Sequence, residues 1–151
     1  MLPKYHLIIG AVISFILWLL FPSFFTPVNS LIIFLSSVFI DVDHYLYYVH
    51  KKKDWSLKKA YRWFVDERKI WLNLSKKERK NYKITIMIFH GVELWVILAL
   101  LIFINKIFLF VLIGIFIHMV IDFIELYTIE KPLYSKVSQV YTFKKNQGKR
   151  D

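Results

Sequence analysis

The chain has no cysteine, and only four glycines and four prolines in 151 residues. Without thiols there is neither a disulfide framework nor a thiolate metal site, so any metal must be held by histidine and carboxylate. Acidic residues are also scarce, 11 against 21 lysines and arginines, for a formal charge of +10. Such a charge could serve nucleic acid, but the basic residues cluster between apolar runs, which points to membrane topology and away from a nucleic-acid partner. What abounds is apolar: 57% hydrophobic and 19% aromatic residues with a mean hydropathy of +0.46. That is too apolar for a soluble domain, and lipid is the expected solvent.

Four apolar stretches are long enough to span a hydrocarbon core, which needs roughly 20 residues. They run from about Tyr5 to Phe25, Val28 to Val49, Ile84 to Ile104 and Ile107 to Tyr127. The expected fold is an all-α, polytopic membrane protein, a single domain over residues 1–151, with four transmembrane helices as two hairpins in a bundle. The first hairpin turns through Pro22, Ser23, Thr26 and Pro27, the second at Asn105 and Lys106. The first run has no basic leader region of any length and no small-residue cleavage site, so it reads as a retained helix.

Of the 21 basic residues, 13 lie between Lys51 and Lys83, six follow from Lys131 onward, and Lys4 lies ahead of the first span. Only Lys106 falls on the other side, so the positive-inside rule places both termini and the 50–83 loop in the cytoplasm. Trp55, Trp63 and Trp71, interleaved with that loop's basic residues, suggest an interfacial segment at the headgroup level. Ser75 and Glu78 match a capping box, from which the third span is expected to start in the cytoplasm. The basic tail, 131–151, reads as polar and partly disordered, and His50 as loop.

Ionisable residues inside spans cost about 2.5 to 3.5 kcal/mol each on insertion scales, so by default they mark function. His6, Asp41, Asp43, His44, His90, Glu93, His118 and Asp122 all fall inside the expected spans. With helices alternating in direction and rising about 1.5 Å per residue, all lie within roughly 15 Å of one membrane face. Asp41 with His44, His90 with Glu93, and His118 with Asp122 are three or four residues apart and share helix faces. Asp43 breaks this pattern, which requires a distorted helix, a supporting role behind the ligands, or a second ion. Four imidazoles and several carboxylates at one depth exceed the needs of one tetrahedral ion, so two divalent ions, zinc or manganese, are expected. Glu125 reads as a solvated residue near a helix end, and a purely structural His–Asp network is the alternative for the whole set.

The motifs Y-H-L-I-I-G (His6, Gly10), I-D-V-D-H (Asp41, Asp43, His44), F-H-G-V-E (His90, Glu93) and I-H-M-V-I-D (His118, Asp122) resemble, in order and spacing, the small inner-membrane metal-dependent hydrolases described as LexA-binding and inner-membrane-associated. The resemblance implies a membrane-embedded metal-dependent hydrolase. The expected substrate is a lipid-linked ester or phosphoester at the cytoplasmic leaflet, with membrane lipids as the surroundings. The metal ligands are then His6, Asp41, Asp43, His44, His90, His118 and Asp122, with Glu93 as general base and Lys4, Lys51 or other loop basic residues holding a phosphate. A metal transporter or sensor, and an interaction protein with a structural metal site, are the alternative readings.

Overall fold

The computed structural model describes residues 3–149, so Arg150 and Asp151 of the basic tail lie outside the described residues. The fold is all-α. Helix α1, Pro3–Leu20, opens on a proline, which loses no hydrogen bond there. Helix α2, Pro27–Phe39, follows a tight turn, and the hydroxyl of Thr26 accepts the Asn29 N–H to cap it. A turn at Ile40–Asp41 separates α2 from α3, Val42–Lys52, within one apolar stretch of 26 residues. His50 lies, exposed, in the last turn of α3 rather than in a loop. The segment that follows is largely helical, as α4, Leu57–Asn73, and α5, Lys76–Asn81. The Ser75–Glu78 capping box forms, but it starts α5 and not the third span.

Helices α1, the α2–α3 stretch and α7, Ile107–Thr128, are long and apolar enough to cross a membrane. The third expected span is helical only as α6, Val92–Ile102, about 16 Å long and near half a hydrocarbon core. The β-branched run Ile84, Thr85, Ile86 and Ile88 is a poor helix former. Its backbone finds partners elsewhere. Asn146 binds the N–H and the carbonyl of Ile84 through its amide, and Gln139 accepts the Met87 N–H and donates to the His90 carbonyl. Non-helical backbone at membrane depth survives only when protein satisfies it in this way.

Those amides belong to the chain end expected to be polar and partly disordered. It folds as α8, Tyr134–Val137, and α9, Gln139–Asn146, against the 84–90 segment.

Helix α2 packs against both α1 and α7, and α6 against α7, so the two hairpins share the α2–α7 contact. Glycine sets the closest approaches. A Cβ at Gly114 would strike the Ile33 carbonyl oxygen and come within 2.8 Å of Ser36 Cβ, and one at Gly10 would strike the Ser37 hydroxyl. Ile33, Phe110, Ile117 and Ile121 form one core cluster, and Ile40, Leu98, Ile115 and Met119 another. Leu7, Phe15, Leu31, Phe116 and Ile124 face outward, as lipid-facing residues of a bundle would. Trp55 is exposed, but Trp71 is not an interfacial residue. Its ring is buried and its N–H binds the Ile129 carbonyl, fixing α4 to the end of α7.

Candidate metal centre

All seven residues expected as ligands meet. His6 comes from the first turns of α1, Asp41 from the α2–α3 turn, Asp43 and His44 from the start of α3, His90 from the segment before α6, and His118 and Asp122 from one face of α7. His6, Asp43, His90, His118 and Asp122 are buried. Three overlapping sets of these groups could hold a metal ion: His6, His118 and Asp122; Asp41, His90 and His118; and Asp43, His44 and His90.

The distances single out four atoms. His90 Nε2 lies 3.1 Å from His118 Nε2, 3.3 Å from Asp41 Oδ1 and 3.6 Å from Asp122 Oδ2. His118 Nε2 lies 3.4 Å from both Asp41 Oδ1 and Asp122 Oδ2. Ligand bonds of about 2.0–2.2 Å give a tetrahedron with edges of about 3.4 Å. Five edges of this cage therefore run from 3.1 to 3.6 Å, around the expected length.

Proton bookkeeping gives the cage its chemistry. His118 Nδ1 is 2.8 Å from the Ser37 carbonyl oxygen, which can only accept, so that nitrogen carries the proton. His90 Nδ1 is 3.0 Å from Asp43 Oδ2, which also accepts the Phe89 N–H at 2.9 Å, so it too is protonated. In the neutral rings both Nε2 atoms are then bare lone pairs, facing each other beside two carboxylate oxygens. Four converging electron-pair donors repel unless a cation or an extra proton lies among them. Imidazoles anchored through the far nitrogen are the usual arrangement behind a bound metal.

Asp43 thus stands behind the four cage atoms, on the far nitrogen of His90. The irregularity that its spacing required is the break at Ile40–Asp41, where the Asp41 and His44 amides bond three residues back and turn Asp43 toward His90. His44 Nδ1 lies 3.0 Å from Asp43 Oδ1 and 3.2 Å from Asp41 Oδ1, which leaves Nε2 unengaged among the described residues. The His6 ring stacks on His118 at 3.9 Å, with Nε2 3.3 Å from Asp122 Oδ1. Its Nδ1 is buried with no hydrogen-bond partner among the described residues.

Glu93 does not join this group. Its carboxylate accepts the Ser138 hydroxyl at 2.6 Å and the Gln139 and Val140 amides, so it caps the start of α9. Of the lysines named for a phosphate, Lys4 lies over the Tyr5 ring, and Lys51 between Tyr47 and Trp63. Glu125 pairs with Arg68 at 2.9 Å instead of being simply solvated.

The sequence reading missed Lys136, whose ammonium is 2.9 Å from Asp122 Oδ2, and the amide pair Gln139 and Asn146 that fixes the His90 segment. Their only signal was two amides seven residues apart, on one face of a helix. A cavity of about 350 Å³ adjoins the cage, with Asp41, His44, Asp122 and Lys136 on its wall and α4 across it. Neither a family model, nor a curated protein, nor a solved structure matches the chain.

Proposed function

We propose that the chain is a membrane-embedded, metal-dependent hydrolase acting on an ester or phosphoester of a lipid-linked substrate, with its site open toward the cytoplasmic leaflet. The observation that carries this reading is that two of the four cage residues, Asp41 and Asp122, line a ligand-sized cavity, so that an ion held by the four would stay within reach of water and substrate by expanding to five-coordination. The motif order resembling inner-membrane hydrolases supports the same class.

Charge balance favours one resident ion. Asp41, Asp43 and Asp122 bring three negative charges, which one divalent ion and the Lys136 ammonium neutralise. His90 and His118 each have a single lone pair to give, because the other nitrogen is committed, so the three overlapping sets draw on shared ligands. Two nitrogens and two oxygens in a tetrahedral arrangement suit zinc ahead of manganese. A divalent ion in this cage supplies a Lewis acid that polarises the scissile group and lowers the pKa of water. The protein supplies the rest. Asp43 holds His90 and His44 in their working tautomers, and His44, tethered through Nδ1, has Nε2 to take a proton from the attacking water. His6 braces the His118 ring and Asp122.

The test is elemental analysis of the purified protein followed by release of phosphate or acid from a lipid ester. About one equivalent of zinc and a turnover abolished by His118→Ala is expected. Zinc binding with no hydrolysis of any lipid ester would favour a structural centre, and no metal at all would sink the reading.

A further inference from the structure

The cavity beside the cage has walls of two kinds. Tyr61, Phe64, Trp71 and Leu126 make one side aromatic and apolar. On the other, Lys131 and Lys136 follow the end of α7. Lys136 is mostly buried against Asp122. Lys131 faces the Trp71 ring at 5.6 Å, whose other cationic neighbour is Arg79. Arg68 on the wall is matched by Glu125, and Arg79 behind the Trp71 ring by Glu130, so neither adds net charge there.

The two lysines lie beside a cage that, with Asp43 behind it, brings three carboxylates to the site. Once one divalent ion fills the cage, that ion and Lys136 neutralise these three. Of the other carboxylates on the wall, Glu125 is paired with Arg68 and Glu67 accepts the Tyr82 hydroxyl, and Lys131 makes no ion pair among the described residues. An ammonium held against indole, beside another ammonium, has weak competition for an incoming dianion. The volume of about 350 Å³ lies at the low end for ligand sites, which run from about 300 to 1,000 Å³. It has room for a headgroup and the start of one chain, and too little for two acyl chains.

We infer that the cavity binds a single-chain amphiphile ending in a phosphate monoester, with the phosphate on Lys131 and Lys136 and the chain lying beneath α4. This rests on the hydrolase reading for its metal ion and for its reaction. In that reaction water adds to phosphorus, the bond from phosphorus to the chain oxygen breaks, and the alcohol leaves with one proton as inorganic phosphate forms.

The test is calorimetric binding of decyl phosphate to the full-length, zinc-loaded protein at fixed detergent concentration. Decyl phosphate should bind at least tenfold more tightly than inorganic phosphate, decyl sulfate, or a two-chain phosphatidate in the same micelles. Lys131→Met should weaken it about tenfold or more with zinc content and melting temperature retained, and Lys131→Arg should restore most of it. Lys136→Met should weaken it as well. Equal binding by wild type and both Met variants, or a phosphatidate that binds as well as decyl phosphate, overturns the inference while leaving the zinc reading intact. Lysine-dependent binding by a protein that holds no zinc would retain the ligand class and remove the proposed hydrolase.

Discussion

Asp43→Asn separates a residue behind the ligands from a ligand. The Asp43 carboxylate accepts His90 Nδ1–H and Phe89 N–H at Oδ2, and His44 Nδ1–H at Oδ1. An asparagine has one acceptor oxygen and one donor amide. The Phe89 N–H cannot change its role, so the oxygen must stay on that side, and the amide must face His44. His90 then keeps its tautomer and its lone pair on the cage. Loss of a group behind the ligands costs about 10- to 100-fold in metal affinity. With the orientation of His90 preserved, the lower figure applies, about 1.4 kcal/mol.

His44 fares differently, because an amide N–H now faces Nδ1 and favours the tautomer with the proton on Nε2. Turnover should therefore fall by about 10² to 10⁴, the range for loss of a general base. Zinc affinity by chelator competition and initial rates on saturating zinc measure the two effects separately. Asp122→Asn, which alters a cage atom, should lose more than about 100-fold in affinity. If Asp43→Asn loses zinc as severely as Asp122→Asn, Asp43 is a ligand and the four-atom cage is wrong.

Glu93→Gln puts an amide against the backbone N–H groups that open α9, and should destabilise the fold by about 1 to 3 kcal/mol in thermal melting while the folded protein keeps its zinc; an unchanged melting temperature would refute the capping role. Gly114→Ala forces α2 and α7 apart at the Ile33 carbonyl and should cost about 1 to 3 kcal/mol, more than Gly10→Ala, where a serine hydroxyl can turn aside; equal melting temperatures would refute this packing argument. Cysteines placed at Ser23 and Asn105 should react with an impermeant reagent in intact cells and one at the exposed Lys69 should not, and the reverse pattern would invert the topology. Burial and the Lys136 ammonium push Lys131 down to about 8, against the opposing pull of Glu125, Asp122 and Glu67. Decyl phosphate, mostly dianionic at pH 7 and fully so at pH 9, should nonetheless bind more weakly at pH 9, because the lysine loses its proton in that direction, and Lys131→Met should remove that loss.

Much of the candidate site was legible because lipid makes buried charge expensive. His6, Asp41, His44, His90, His118 and Asp122 share one depth in the sequence, and they meet in the structure. His118 and Asp122 also share a helix face by simple spacing, and both contribute atoms to the cage. Asp43 was legible only as an anomaly, since periodicity can show that a regular helix fails there but not which way the break turns the side chain. Glu93 misled for the same reason. Its spacing from His90 presumed a helix through both, whereas the helix begins at Val92 and the two side chains diverge. Hydropathy cannot see that the 84–90 backbone is satisfied by amides more than 45 residues away.

The chain end shows where counting charges goes astray. By the positive-inside rule Lys131 and Lys136 are two more basic residues in a polar tail, equivalent to Lys144 or Lys145. In the fold they line the cavity, and Lys136 carries the charge that would, with one divalent ion, balance the three carboxylates. The same short stretch supplies Gln139 and Asn146, which hold the segment bearing His90, and Ser138, whose hydroxyl engages Glu93. A site of this kind needs its surplus negative charge compensated close by, because an unpaired buried carboxylate is strongly destabilising. Docking of the tail supplies that compensation and the geometry of His90 in one step. The residues that complete the candidate centre are therefore set by three-dimensional packing, and no periodicity along the chain marks them.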